Sequence, residues 1–569
     1  MKSATTFRLA KQTLCALLLL LTLACPVAAG EPVTVGGYPP EEALRLGAAM
    51  YRQGMLPSGQ PLRATVQGDI ELDGTMSTCM NCHLRSGLGS LEGGVLSPPT
   101  NGAKLYVPLQ GPADIPGSVM KRSMFKGGRP AYTRETLARL LRDGIGPDGV
   151  PVLQTMPVYQ LTDAEMEIMI YYLEQLSRDI SPGVSAEEIR FATVVSDRTP
   201  PQEREAFLAA LNAFVREEWN GRIAGQKALQ SVRRARTEQL ARNYRPLTLE
   251  VWELKGAPES WEGQLEALYR AQPVFAVLGG TTPGKWDPVH RFCEKNQIPC
   301  ILPATQLPLV SASDWYTLYF SKGYHQEGDT AAKYLSRVFT LPPGQKLVQL
   351  YRADSEEGKA LSRGFAGTWS GLGEAALIDR PVAAAEKIDA RFWQRLASSH
   401  PDAVFLLWLG PADLAGVETL AALPGRPSTI FLSAGMLSGD FKAVPEAIRE
   451  LTLITHPTRL PGDGDYARSI FANWLKLKRI SVADQEAAWR GYMITRLLSR
   501  VLNDMGEELY RDYFLDLFDD GKDETNTSVL YPKLSFGPGQ RYASKGCYVV
   551  SLTKGNNVKV VRQSDWVVY

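Results

Sequence analysis

The feature that most constrains the fold is an alternation of short apolar segments with amphipathic ones, which runs from residue 188 to the end of the chain. The apolar segments read as strands buried on both faces, and they cover residues 189–195, 247–254, 274–278, 298–302, 346–351, 403–409 and 429–433. Helical spacing of apolar residues follows most of them, over residues 201–219, 261–271, 287–296, 358–372 and 412–423. This alternation predicts parallel sheets covered by helices on both faces, with enough chain for two lobes.

Two nucleotide-binding motifs of α/β folds are missing from this sequence. It contains no Gly-x-x-x-x-Gly-Lys-Ser/Thr, which excludes a P-loop ATPase. The segment that comes nearest to a dinucleotide fingerprint, residues 87–92, has Glu92 where the third glycine belongs and follows no predicted strand. A nicotinamide or flavin dehydrogenase is therefore disfavoured.

Short motifs accompany the strands and helices in a characteristic order, at residues 277–282, 297–299, 326–328, 350–354, 364–365 and 487–502. In this order the chain resembles the type I periplasmic binding proteins, the branched-chain amino acid and amide receptors of ABC importers. The resemblance covers about residues 188–569. It implies two Rossmann-like lobes, joined by hinge strands, that close on a ligand between them.

The resemblance implies a ligand site at loops that follow the carboxyl ends of strands. The candidate ligand-binding residues are Thr281, Thr282, Thr305, Tyr324, Asp354 and Ser433. Thr281 and Thr282 are placed to bind an anionic group with the help of the amino end of the next helix. Each candidate could equally be a turn or capping residue. An acidic partner for a ligand's amino group is not identifiable, which argues against a free α-amino acid.

The N-terminal part of the chain contains the run Cys79-Met80-Asn81-Cys82-His83. Cys-x-x-Cys-His is the attachment signature of a c-type haem, whose porphyrin bonds covalently to both thiols. His83 would then be the proximal iron ligand. Met156 precedes Pro157 on a loop ahead of a helix, which suits a distal iron ligand; the alternative is an ordinary apolar loop residue. The sequence thus predicts one covalent haem c.

Helical patterns surround this motif. Residues 41–54 predict a first helix in which Gly47 and Tyr51 would meet the last helix, residues 129–144 predict a middle helix, and residues 171–173 belong to the last. This order resembles the class I cytochrome c family over about residues 36–180, and the resemblance implies an all-α domain.

One segment departs from the cytochrome pattern. Residues 84–126 are rich in glycine and proline, and we expect them to wrap the haem edge. After residue 180 the chain changes character, and residues 181–187 are predicted to be a linker between the cytochrome domain and the α/β domain, residues 188–569.

The first residues have the pattern of an export signal. Basic side chains precede an apolar stretch at residues 13–24, and Val27-Ala28-Ala29 offers a cleavage site. The apolar stretch is shorter than the about 20 residues that cross a bilayer. We expect a signal peptide over residues 1–29 and a periplasmic protein without a transmembrane span after cleavage, and lipidation of Cys25 stays open.

Two further cysteines form a local pair in the sequence. Cys293 and Cys300 flank a short turn-forming stretch, and in an oxidising compartment they could form a disulfide. The other interpretation is that both are small buried apolar residues.

Composition and the predicted haem limit the function. The chain has 62 basic and 61 acidic side chains, a net charge of +1, so nothing indicates nucleic-acid binding. One haem moves one electron, which favours an electron carrier over an enzyme. The sequence favours a single-electron carrier whose second module binds a small ligand or docks a redox partner, such as a dehydrogenase or another cytochrome. Two alternatives are an ABC importer's receptor with the cytochrome as redox sensor or tether, and a haem enzyme with an open sixth iron position.

Overall fold

The computed structural model describes residues 34–568, except residues 126, 225–244, 312, 339–340, 343, 374–375, 520–527 and 538. The chain forms two compact units. The first comprises residues up to 83, 100–110 and 127–178, and the second comprises residues 84–99, 111–126 and everything from 179 onward. The predicted signal peptide, with Cys25, lies outside the described residues. None of the described helices is long and apolar enough to span a bilayer.

Three helices of the first unit begin and end at recognisable signals. They are α1 (Pro40–Gln53), α2 (Arg134–Asp143) and α3 (Asp163–Gln175). Helix α1 ends at Gly54, whose φ of 65° is the left-handed conformation that glycine adopts without strain. The hydroxyl groups of Thr133 and Thr162 accept backbone N–H groups at the starts of α2 and α3 and form capping boxes there. The three helices predicted for this part of the sequence are confirmed.

Helices α1 and α3 pack closely where the sequence predicted their contact. A Cβ atom added to Gly47 would lie 2.4 Å from the Cβ of Tyr172, so only glycine allows the two backbones to come this close. Beside it, the rings of Tyr51 and Tyr172 contact each other with centroids 5.4 Å apart. Gly47 and Tyr51 therefore meet the last helix, as expected.

The cytochrome resemblance implied an all-α domain, and this expectation is wrong for the first unit. It contains a small antiparallel sheet of order β2-β1-β3, formed by β1 (Arg63–Val66), β2 (Ile70–Asp73) and β3 (Val158–Tyr159). Strand β3 follows Pro157 directly and pairs with β1, whereas the N–H group of Met156 donates within its own loop to the carbonyl of Leu153 at 2.9 Å.

The second unit consists of two α/β lobes, as predicted. The sheet of the first lobe is parallel and has the order β8-β7-β6-β4-β5. Its strands are β4 (Ile189–Ser196), β5 (Leu247–Leu254), β6 (Ala276–Leu278), β7 (Cys300–Ile301) and β8 (Thr317–Leu318). The helices between them are α4 (Pro201–Asn212), α5 (Trp261–Ala271) and α6 (Asp287–Lys295). Separate apolar clusters cover the two faces of this sheet.

The second lobe has an eight-stranded sheet whose main path is β10-β9-β11-β12-β13-β14-β15, with β16 paired to β14. The strands are β9 (Leu347–Arg352), β10 (Leu377–Val382), β11 (Val404–Trp408), β12 (Thr429–Ser433), β13 (Thr452–His456), β14 (Gly546–Leu552), β15 (Val560–Arg562) and β16 (Val567–Val568). Its helices are α7 (Tyr324–Val338), α8 (Glu356–Leu372) and α9 (Ala390–Ser399). The five strands from β9 to β13 are parallel, and the last three strands pair antiparallel.

The chain returns to the first lobe before its last strands. Helices α10 (Asp465–Leu477), α11 (Gln485–Met505) and α12 (Arg511–Asp519) contribute to the apolar cluster of the first lobe, whereas β14 belongs to the sheet of the second. The lobes are therefore connected by three segments, at residues 319–323, 457–464 and 543–545. One predicted helix is wrong: residues 412–423 form two short 3₁₀ segments, because Gly416 with a φ of 75° interrupts them.

The expected domain boundaries differ from those of the structure in two places. Residues 84–99 and 111–126 were expected to wrap the haem edge, but they pack with the second unit. Arg85 pairs with Asp512 at 3.2 Å, and the N–H group of Ser86 donates to Asp516 at 2.9 Å. The predicted linker, residues 181–187, also belongs to the second unit. Its Gly183 lies directly against the backbone beside Phe275.

Candidate functional site

A cavity of about 270 Å³ opens at the carboxyl ends of strands in the first lobe. Its lining residues come from four parts of the chain: the loop after β6, the loop after β7, the amino-terminal part of α4 and the amino-terminal end of α11. They are Glu203, Phe207, Thr281, Ala304, Thr305, Gln306, Asp484, Glu486, Ala487 and Arg490. The carboxyl edge of an open parallel sheet is where such folds bind ligands, so this cavity is the candidate ligand site.

Thr281 is the best-fixed residue of the cavity. Its N–H group donates to the carbonyl of Val194 at 2.9 Å, and its own carbonyl accepts the hydroxyl of Thr199 at 2.7 Å. Its side-chain hydroxyl donates to the carboxylate of Glu203 on α4. Thr281 was predicted to bind an anionic group of a ligand, but its hydroxyl already has the acidic partner Glu203.

The loop after β7 supplies the second predicted residue. Thr305 lies in the cavity lining, and its hydroxyl accepts the N–H group of Leu307 at 3.0 Å. The adjacent Gln306 is exposed, and its carbonyl accepts the N–H group of Tyr324 at 3.1 Å, at the start of α7 and directly after the first segment that connects the lobes. This loop therefore joins the cavity to the hinge.

The amino end of α11 brings charged groups to the cavity. Asp484 caps the helix by accepting the N–H group of Ala487 at 2.9 Å. Arg490 is buried and donates to Glu486 at 2.6 Å, and it lies 5.5 Å from the ring centroid of Phe320. Burial opposes the charge of Arg490, but Tyr531 and Glu486 outweigh it and raise its pKa, so the guanidinium is charged and paired.

The other predicted ligand residues do not line this cavity. Thr282 is buried beside it, and Asp354 is exposed after β9. Tyr324 and Ser433 lie together in the second lobe, where the Tyr324 hydroxyl donates to the carbonyl of Gly435 at 3.5 Å. Ser433 is fully buried at the end of β12 and accepts the N–H group of Met436 at 3.1 Å.

Between Tyr324 and Ser433 lies a carboxyl group that was not predicted as a site residue. Glu327, on the first turn of α7, is buried and accepts the Thr455 hydroxyl at 2.9 Å. Burial raises the pKa of Glu327 to about 7, although hydrogen bonds from Ser433, Thr455 and the backbone of residues 434–435 oppose the rise. Glu327 belongs to the short motif at residues 326–328, but that motif does not indicate its buried hydrogen bonds, because the partners Ser433 and Thr455 belong to two other strands.

The acidic residues of the cavity were also missed, although a signal for them existed. Glu203 lies in the first turn of α4, which follows the carboxyl end of β4, so the topological rule that selected Thr281 applies to it as well. Asp484 stands at the N-cap of α11, a position that favours Asp. Only their convergence with Thr281 could not be read from the sequence.

The two cysteines of the first lobe are free thiols in this structure, and the possible disulfide between them stays a prediction. Cys293 lies on α6 and Cys300 lies on β7, and both are fully buried in one apolar cluster. Burial raises the pKa of Cys293, and a hydrogen bond with Cys300 adds to the effect. The structure matches the other interpretation, two small buried residues.

The predicted haem-binding residues lie together in the first unit. Cys79 is followed by a helical turn, Met80–His83, in which the His83 N–H group donates to the Cys79 carbonyl at 2.9 Å. Cys79 and His83 are buried, while Cys82 is exposed. Burial raises the pKa of the Cys79 thiol to about 11. Met156 packs against the apolar cluster that contains Cys79, so these two predicted residues share one apolar region.

The lobes, their parallel sheets and the cavity at the strand ends define a class of two-lobed ligand-binding proteins. A family model described as "Periplasmic binding protein" matches residues 221–557. The chain therefore belongs to the periplasmic binding protein family. A comparison with curated proteins finds no match.

Solved structures of transport receptors are similar to this chain. A fatty acid ABC transporter substrate-binding protein from Thermomonospora curvata has 16% identity, a TM-score of 0.45, and coverage of 69% of this chain and 95% of its own. A solute-binding protein from Rhodopseudomonas palustris, in complex with p-hydroxybenzoic acid, has 15% identity, a TM-score of 0.45 and coverage of 67% and 97%. A branched-chain amino acid ABC transporter protein from Thermus thermophilus, with bound valine, has 9% identity, a TM-score of 0.45 and coverage of 67% and 97%.

Proposed function

We propose that this protein is a periplasmic solute receptor that binds one small molecule in the cavity of the first lobe and delivers it to an ABC-type importer. The observation that carries the proposal is the cavity itself, which the loops after β6 and β7 form at the carboxyl edge of the sheet. Membership of the periplasmic binding protein family supports it. An export signal over residues 1–29 would take the chain to the periplasm.

The second lobe would complete the ligand site when the lobes close. Among the described residues, those that line the cavity come from the first lobe. Lys285, in the loop after Thr282, pairs with Glu356 at the start of α8 at 2.9 Å, so an ion pair already connects the two lobes. A hinge formed by residues 319–323, 457–464 and 543–545 would allow such closure through φ/ψ changes at a few of these residues.

We further propose that the first unit carries one haem c as a redox sensor or tether for the receptor. The donor set fits: Cys79 and Cys82 would hold the porphyrin through thioethers, and His83 and Met156 would be the axial ligands. Haem supplies reversible one-electron chemistry. The chain itself would contribute an apolar surrounding, since Cys79 and His83 are buried and Met156 is half-buried.

Single-electron transfer to a redox partner is the second candidate function. The observation that favours it is the crossing of α1 and α3 at Gly47, which follows the expected pattern of a class I cytochrome c. In this case the second unit would dock a partner or bind a regulatory ligand. Binding of carbon monoxide to the reduced protein would instead favour an enzyme or sensor with an open iron position.

Two experiments test these proposals on the full chain. Expression with the c-type cytochrome maturation system should give haem that stays bound after denaturation, and Cys82→Ala should reduce this attachment whereas Cys547→Ala, outside the motif, should not. A thermal-shift screen with small acids, amides, alcohols and amines should give at least one stabilising ligand. Absence of covalent haem in the wild type contradicts the haem proposal. Absence of any shift contradicts the receptor proposal and favours a docking module.

A further inference from the structure

The contact between Thr281 and Glu203 determines which charge the cavity accepts. The Thr281 hydroxyl, which could otherwise donate to a ligand anion, donates to the Glu203 carboxylate. A ligand carboxylate at this position would compete with Glu203 for the single hydroxyl proton of Thr281. It would also place its negative charge beside that of Glu203, which is unfavourable at a partly buried site. The oxygen atoms of Glu203 and the lone pairs of Thr281 instead present acceptors to the cavity.

The remaining charged groups of the cavity have the same bias. Among the described lining residues, the acids are Glu203, Asp484 and Glu486, and the one base is Arg490. Arg490 already pairs with Glu486 at 2.6 Å and interacts with Tyr531, so its positive charge is offset by the acid beside it. The lining thus carries more negative than positive charge.

Two of the basic side chains beside these loops are also paired with acids. Arg204, next to Glu203, donates to Glu253 at 2.8 Å on the surface of the first lobe. Lys285 pairs with Glu356 at 2.9 Å. Neither cation neutralises Glu203, whose carboxylate is half-buried and therefore needs a positive partner.

The apolar part of the lining sets the size and shape of the partner. Phe207, Ala304 and Ala487 contribute apolar surface, and the volume of about 270 Å³ is slightly below the range of about 300–1,000 Å³ of drug-sized pockets. An ammonium group has three donors and no acceptor, which matches a site of carboxylate and hydroxyl acceptors. A short alkyl chain matches the apolar wall.

We infer that the cavity takes a small organic cation, a primary ammonium on a short alkyl chain, bound through Glu203 and Thr281, and that it rejects free carboxylates. This inference rests on the receptor function proposed above and names its ligand class. It reverses the expectation that Thr281 and Thr282 bind an anion.

Isothermal titration calorimetry of the full chain tests this with n-alkylammonium chlorides from methyl to hexyl, and with the carboxylates and alcohols of equal length. Saturable binding is expected for an alkylammonium and not for the matching carboxylate. Glu203→Gln should weaken ammonium binding about tenfold or more, because it removes the charge but keeps the shape. Glu205→Gln, an exposed acid on the same helix that does not line the cavity, changes the net charge equally and should leave the affinity unchanged.

The outcomes separate this inference from the receptor proposal. Binding of a carboxylate or an alcohol in preference to the ammonium, or equal affinities of the Glu203→Gln and Glu205→Gln variants, overturns the inference and leaves the receptor function standing. If no alkylammonium binds while another solute class shifts the melting temperature, the inference again fails alone. If no solute of any class binds, both fail. Circular dichroism of each variant checks that it is folded.

Discussion

Replacement of Glu327 by glutamine should change how the stability of the second unit depends on pH. Burial raises the pKa of this carboxyl from its ordinary 4.5 to about 7. A carboxyl group whose pKa is higher in the folded state binds its proton more tightly there. Folding is therefore most favoured below pH 4.5, and stability falls as the pH rises through about 7. At 1.36 kcal/mol per pKa unit, ionisation of Glu327 costs about 3 kcal/mol above this range.

Glutamine resembles the protonated carboxyl and removes this cost. Its carbonyl oxygen can accept the backbone N–H groups of residues 434–435, and its amide can donate to the Thr455 hydroxyl, which then donates to the Leu432 carbonyl at 3.3 Å. Glu327→Gln should therefore match the wild type near pH 4 and exceed it by up to about 3 kcal/mol near pH 8.

Urea unfolding of the full chain at pH 4 and pH 8 measures this difference. The buried Asp516 and Asp519, whose pKa values burial raises to about 7 and about 6, also lower stability with rising pH, but they are present in both proteins and cancel in the comparison. Glu418→Gln, at an exposed position of the second lobe, serves as the matched control. Equal pH dependence of the wild type and Glu327→Gln, or a less stable variant at pH 8, would refute the reasoning.

Two further predictions concern the first unit. Gly47→Val should destabilise the first unit by about 1–3 kcal/mol, because the new Cβ would lie 2.4 Å from that of Tyr172. The control Gly263→Ala, in helix α5 of the second unit, has open space around it and should be neutral or stabilising. Thermal unfolding measures both variants, and an unchanged stability of Gly47→Val would contradict the close crossing of α1 and α3. If the first unit carries the proposed haem c, Met156→Ala should change its absorption spectrum from low-spin to that of an iron with an open or replaced sixth ligand. Met120→Ala, at a position that is 69% exposed, should leave the spectrum unchanged. An unchanged spectrum of Met156→Ala would show that Met156 does not bind the iron.

Local patterns predicted much of the fold. The predicted strands at residues 247–254 and 429–433 and the predicted helix at 261–271 have the bounds of β5, β12 and α5. Buried strands and amphipathic helices are determined mainly by the spacing of apolar residues, which is a property of a short window. Strand β10, with only Val382 buried, lacks such a signal and was missed.

Contacts between distant segments were harder to predict. Residues 84–99 were expected near the haem because they follow His83 in sequence, yet Leu88 lies in the apolar cluster of the first lobe and Lys121 donates to its carbonyl at 2.8 Å. Glycine- and proline-rich segments have no periodicity, so their partners depend on shapes that only the folded chain defines.

By itself the sequence determined the alternation of strands and helices, the close crossing at Gly47 and the grouping of Cys79, Cys82 and His83, since each depends on residue types at short spacing. Only the tertiary structure decided the charge of the candidate cavity. Glu203 and Thr281 are separated by 78 positions, and α11 joins them from further along the chain. Because the sheet brings the ends of distant strands to one edge, the partners of a hydroxyl group there are set by topology and not by its neighbours in sequence.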